Sequence, residues 1–235
     1  MLDQLLDRPQ VPADAKPMAR EFLSSVFIYM LGALGITAIT AWLFADSGYW
    51  MSLYNLETGA INGLGWVVML SPLAVVLVMQ FGARRLPMPV LVLLFIAYSV
   101  LIGISLSSIL IIFTGASVAL TFGVTAATFG AMAVLGYTTN MDLSKFGTYL
   151  YMGFIGIFVA SMANMFIGSD SMGYIISIIG IVVFTGLTAV HMQRLKWAAY
   201  DPELQGLDRN KMALLGGLTL YILFINLFLT LLRFL

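Results

Sequence analysis

The sequence predicts an all-α integral membrane protein of seven transmembrane helices. Three observations carry that reading. Hydrophobic residues make up 61% of the 235 and charged residues only 9%, against about 25% charge in a soluble domain. Seven apolar runs each come close to the ~20 residues a helix needs to cross the hydrocarbon, and none of them holds a Lys, Arg, Asp or Glu. The charges fall between the runs and are distributed unevenly from one connection to the next. The runs lack the alternation of a membrane barrel, which leaves the helix as the structure that satisfies its own backbone in lipid.

Residues 1–20 read as a polar N-terminal tail holding Pro9, Pro12 and Pro17, and residues 21–235 as one membrane domain. The first span is Phe22–Ala45. It exceeds the 7–15 residues of a signal h-region and follows about twenty mostly polar residues, so it reads as a retained anchor. Asp46–Ala60 is the longest outer loop, with Tyr49, Trp50 and Tyr54 suited to the membrane interface. The second span, Ile61–Ala83, contains Pro72 and is expected to kink there. Arg84–Pro89 is a tight turn in which Pro87 and Pro89 stop one helix and start the next.

The third span is Val90–Phe113 and the fourth Ala116–Tyr137. The two-residue turn Thr114–Gly115 predicts that they form an antiparallel hairpin. Thr138–Lys145 is an inner loop in which Asp142 is placed to cap the fifth span, Phe146–Ile167. The sixth span is Met172–Met192 and the seventh Met212–Leu232. Gln193–Lys211 between them is expected to be the largest inner loop and a place for a partner to dock. Small residues recur as Gly32/Gly35, Gly103/Ser107, Gly123/Ala127 and Gly153/Gly156, a pattern that lets helix backbones approach.

Ten of the eleven Lys and Arg lie in the tail or in alternate loops, while the opposite loops carry Asp46, Glu57 and Asp170. Only Arg233 breaks the pattern. The positive-inside rule then puts the N-terminus in the cytoplasm, and seven spans put the C-terminus outside. The short loops favour a bacterial inner membrane.

Intramembrane polar groups are the candidate functional residues. His191 is the only histidine and closes the sixth span. It can change charge near neutral pH, or it can simply bond a carbonyl at the interface. Asn164 and Asn226 are amides in apolar spans, suited to interhelical hydrogen bonds or to lining a wet path. The absence of cysteine excludes disulfides and thiol chemistry. One histidine makes no multi-histidine metal site, no carboxylate pair lies within a span, and no phosphate-binding glycine loop occurs. The reading is therefore of a protein that is not an enzyme, has no cofactor and does not bind nucleic acid.

Four stretches carry a family resemblance: Tyr98-Ser99 with Gly103-Ile104-Ser105-Leu106-Ser107; Asp142-Leu143-Ser144; Phe184-Thr185-Gly186-Leu187-Thr188-Ala189 followed by Gln193-Arg194-Leu195-Lys196; and Leu220-Tyr221 with Phe224-Ile225-Asn226-Leu227-Phe228. In this order they resemble the Bax inhibitor-1 family (the transmembrane BAX inhibitor motif group) in its bacterial form. The resemblance implies six helices wrapped around a central C-terminal helix. It also implies, for some members, a pH-sensitive calcium leak sensed by two aspartates that share a proton. Here His191 stands at the first aspartate position and Leu223 at the second, so the acid latch is replaced. Beyond the lipid bilayer, the expected partners are calcium or another small ion. The candidate pathway and pH-sensing residues are His191, Asn226, Asp142 and Asn164, with Leu223 the lost sensor. The alternative is a regulator of a membrane-anchored ATP-dependent protease acting through the tail Met1–Pro17. A small-solute transporter is the third reading.

Overall fold

A computed structural model describes residues 15–55, 60–200 and 209–234. Most of the N-terminal tail, including nearly all of the proposed protease-docking segment, and Glu57 lie outside them. The described residues contain seven long helices: α1 Ala15–Asp46, α2 Gly63–Gly82, α3 Met88–Ile112, α4 Gly115–Thr138, α5 Ser144–Ile167, α6 Asp170–Tyr200 and α7 Arg209–Phe234. All seven are long and apolar enough to cross a membrane.

Local chemistry sets most of the helix ends. Asn62 caps α2 by accepting from the Gly65 N–H at 2.9 Å, and Thr114 caps α4 by accepting from the Ser117 N–H at 3.2 Å. Gly168, with φ 68°, ends α5 in the left-handed conformation a glycine adopts cheaply. Pro72 sits inside α2 and leaves the carbonyl of Val68 without its backbone donor. The neighbouring Ser71 hydroxyl donates to that carbonyl at 2.8 Å, so the helix runs on through the proline with its backbone satisfied.

Three expectations about the connections need correction. α1 begins at Ala15, so the end of the tail is already helical, with Pro17 tolerated in the first turn. α6 continues to Tyr200, and α7 starts at Arg209, so the inner connection is much shorter than Gln193–Lys211. The extra turns of α6 are held by bonds to the α4–α5 loop. Gln193 Nε2 donates to the Met141 carbonyl at 2.7 Å and its Oε1 accepts from the Leu143 N–H at 2.9 Å. Lys196 Nζ reaches the Tyr137 carbonyl at 2.7 Å. Finally, α3 and α4 do not pack as a hairpin. From their tight turn they diverge onto different partners, α3 onto α1 and α2, α4 onto α6 and α7.

α7 is the central helix. It packs against α1, α6, α4 and, more lightly, α3. Tyr221, fully buried, meets Phe95 and Tyr98 of α3 edge-on. Phe224 takes Phe122 and Phe129 of α4. Thr37 of α1 donates its one hydroxyl proton to the Ser99 carbonyl at 3.0 Å. The Tyr221 hydroxyl is therefore the donor in its 2.6 Å bond to Thr37. This network ties α1, α3 and α7 together in an otherwise apolar interior.

α2 and α5 stand farther out, α2 on α3 and α5 on α6. Between them α7 shows a half-buried to exposed stripe at helical spacing: Thr219, Ile222, Asn226, Thr230 and Arg233. Of the recurrent small residues, Gly103 does admit a neighbour, because a side chain there would strike Thr40 and the Thr37 carbonyl at 2.7–2.8 Å. Gly32, Gly35, Gly123 and Gly156 instead have open space beside them. The closest backbone approach is at Gly136 of α4, against Ala189 of α6.

Candidate functional site

His191 lies about two and a half turns before the C-terminal end of α6, turned toward α5 and α7. Its Nε2 is 2.6 Å from the hydroxyl of Tyr151 on α5, and the two rings meet edge-on at 5.8 Å. Arg194, one turn on, donates from Nη1 to the same hydroxyl at 3.2 Å and stacks its guanidinium 5.4 Å from the Tyr151 ring centre. The pattern is complete with a neutral imidazole. The Tyr151 oxygen accepts from Arg194, and its proton goes to His191 Nε2.

Two cavities meet at this residue. One, of about 430 Å³, is lined by Gln80, Tyr151, Phe154, Phe184, His191 and Leu223, among others. The second, of about 220 Å³, is lined by Phe22, His191, Arg194, Ala198, Met212 and Gly216, among others. His191 and Thr219 border both. Along α6 the larger cavity reaches back to Phe184 and the smaller forward to Ala198. At 1.5 Å per residue the pair therefore covers about 21 Å along the axis of α6. His191 and Thr219 stand between the larger cavity, the chamber, and the smaller one, a vestibule at the basic end of the bundle, as a closed neck.

Above the chamber, Phe154 and Phe184 pack edge-on at 6.0 Å, and Thr230 fills the space beside Gly180. Beyond them an outer cavity of about 1190 Å³ is lined by Met69, Phe158, Asn164, Asp170, Arg233 and their neighbours. All three cavities border the α6–α7 seam, and the chamber and outer cavity also take walls from α2 and α5.

The residues singled out in the sequence are scattered along this route. His191 and Leu223 line the same chamber. Asn226 lies on the α7 stripe, but its amide donates to the Ile222 carbonyl of its own helix at 2.8 Å rather than to a neighbouring helix. Asn164 accepts from the Ser169 N–H at 3.1 Å, and so ties the outer turn between α5 and α6. Asp142 is exposed and precedes the α5 N-cap, which is Leu143. Its carboxylate accepts from the Ser144 N–H at 2.9 Å. That backbone bond, the Ser144 hydroxyl and the nearby Lys145 charge hold its carboxyl below the usual range. The histidine's partner is Tyr151 and not this acid.

Tyr151, Thr219 and Gln80 were not singled out from the sequence. The available signal was a tyrosine deep in an apolar span, whose hydroxyl needs a partner when buried.

Residues 19–235 match the sequence family described as Inhibitor of apoptosis-promoting Bax1. The chain is 40% identical over 232 residues to Inner membrane protein YbhL of Escherichia coli strain K12, covering 97% of each protein. It is 40% identical over 230 residues to an uncharacterized protein of Borreliella burgdorferi, covering 92% of this chain and 91% of that one. It is 38% identical over 218 residues to uncharacterized protein RP147 of Rickettsia prowazekii, covering 92% and 89%.

Proposed function

This chain belongs to the Bax inhibitor-1 family, and from that premise we propose that it is a multi-pass inner-membrane protein that leaks a small ion, gated by His191 and Tyr151 where the family resemblance implies a pair of acids in some members. The inner-membrane location is supported by the name of the Escherichia coli relative and by seven apolar helices. The observation that supports the leak is the pair of cavities that share His191 and Thr219 in their linings.

The lining decides which ion the route suits. Among the described residues no carboxylate borders the chamber or the vestibule, and Arg194 stands in the vestibule. Calcium favours six to eight oxygens, several of them anionic. Here it would find the neutral oxygens of Tyr151, Thr219 and Gln80 and a guanidinium on its way. Among the described residues no three His, Asp or Glu side chains gather to hold a metal. The route therefore suits a monovalent ion better than calcium, and the acid-sensing role passes from a carboxylate pair to an imidazole. Protonated His191 offers Nε2 as a donor, leaving the Tyr151 oxygen between two cationic donors, so acid loosens the neck.

The test is flux in liposomes holding the purified chain and a potassium- or calcium-sensitive dye. Potassium flux above that of empty vesicles is expected, rising as pH falls from about 8 to 4, far enough to protonate an imidazole held neutral beside Arg194. Calcium flux is expected to be smaller. Flux equal to that of empty vesicles across this range, for both the wild type and His191→Ala, would refute the proposal.

A further inference from the structure

On the opposite side of the bundle, α1 and α4 part to leave a groove of about 780 Å³ that belongs to neither chamber. Leu23 and Phe27 of α1 form one wall, Phe129 and Ala133 of α4 the other, and Met192 of α6 the floor. The groove also takes in Gly130, beside which there is open space.

Its mouth differs in chemistry from its walls. Arg20, Tyr137 and Tyr200 border it, with the two tyrosine side chains close to one another. Lys196 lies next to them, its ammonium on the Tyr137 carbonyl and 5.3 Å from the Tyr137 ring centre. Among the described residues no Asp or Glu lines the groove. Arg20 is exposed and makes no ion pair among the described residues. This is also the end of the bundle that carries Arg84, Arg85, Lys145 and Arg194.

We propose that the α1–α4 groove is a binding site for one anionic phospholipid, its phosphate on Arg20 and the tyrosine hydroxyls and an acyl chain along Phe27, Phe129 and Met192. An apolar slot in lipid accepts any acyl chain, so the walls by themselves give no selectivity. The cationic mouth, with Arg20 on its border and Lys196 beside it, does, because basic pockets between transmembrane helices on the cytoplasmic side recognise anionic headgroups. Each Arg or Lys near the surface contributes about 1 kcal/mol toward an anionic lipid, which is about fivefold in occupancy.

The experiment is native mass spectrometry of the purified full chain released from mixed phosphatidylglycerol and phosphatidylcholine micelles, counting lipids retained. The wild type is expected to retain one phosphatidylglycerol at about fivefold preference. Arg20→Gln should lose the preference, and Arg20→Lys should keep it. Gly130→Leu fills the groove without a clash and should lose retention of both lipids. Gly123→Leu, an equal change at an open position of the same helix, should behave as wild type. Size-exclusion profiles matching wild type establish that each variant is folded. Equal retention of the two lipids by the wild type would overturn the proposal. So would unchanged retention in folded Arg20→Gln and Gly130→Leu, or displacement of the lipid by millimolar inorganic phosphate, which would mark a site for the free anion.

Discussion

The most direct perturbation of the neck is Tyr151→Phe. The ring stays, and with it the 5.8 Å edge-on packing against His191 and the stacking under Arg194. Only the hydroxyl goes. That removes the 2.6 Å bond to His191 and the 3.2 Å bond from Arg194. A neutral hydrogen bond contributes about 1 kcal/mol net, and one to a charged group about 1.5–3. Arg194 is exposed to its surroundings, so its contribution is discounted below that range, and the pair together come to about 2 kcal/mol. If both bonds exist only when the neck is closed, their loss shifts the closed-to-open ratio by up to about thirtyfold. Potassium flux through vesicles holding Tyr151→Phe should rise by a factor of that order, and its dependence on pH should flatten. His191→Gln should abolish the pH dependence. The titratable and charged groups bordering the two cavities are Tyr151 from α5 and His191 and Arg194 from α6, with Arg209 of α7 reaching over Phe22 of α1. Unchanged flux and pH profile in a fully reconstituted Tyr151→Phe would show that the hydroxyl does not hold the neck, and the gating argument would fall.

Other outcomes follow from the same geometry. Because His191 and Leu223 share one chamber, the double change His191→Asp with Leu223→Asp puts two carboxylates together there. It should raise calcium flux relative to potassium flux, and a ratio equal to that of wild type would contradict the view that missing carboxylates disfavour calcium. Gly136→Ala sets a methyl on the Ala189 carbonyl and should destabilise by about 1–3 kcal/mol, the usual cost of overpacking. Thermal unfolding in detergent checks this against Gly123→Ala, which meets open space; equal melting temperatures would count against the close α4–α6 contact. Asp142, whose carboxyl is held low by the Ser144 N–H, the Ser144 hydroxyl and Lys145, stabilises the start of α5 above the ordinary carboxylate range. That help is lost as pH falls through its lowered pKa. The melting difference between wild type and Asp142→Asn should therefore shrink toward zero in acid, and a difference independent of pH would refute the assignment.

What the sequence determined by itself was the set of spans. Hydropathy, charge and turn residues are local, and Asn62, Thr114, Pro87 and Gly168 end helices through atoms within a few residues. The positions of His191 and Leu223 were marked only by a family pattern, and that they line one chamber is visible only in the tertiary structure. Rotation and neighbours were another matter. A soluble helix shows its buried face by setting polar residues on the other. In a bilayer both faces are apolar, so nothing in the run from Ser144 to Ile167 says that Tyr151 turns to His191 while Tyr149 faces outward. The same silence made Gly32/Gly35 and Gly123/Ala127 look like packing faces, although Gly32, Gly35 and Gly123 have open space beside them. It also made a two-residue turn look like a hairpin between α3 and α4. Only the tertiary structure decided those faces, because in a uniformly oily solvent a helix's orientation is set by side-chain shape and by a few polar atoms that must find partners.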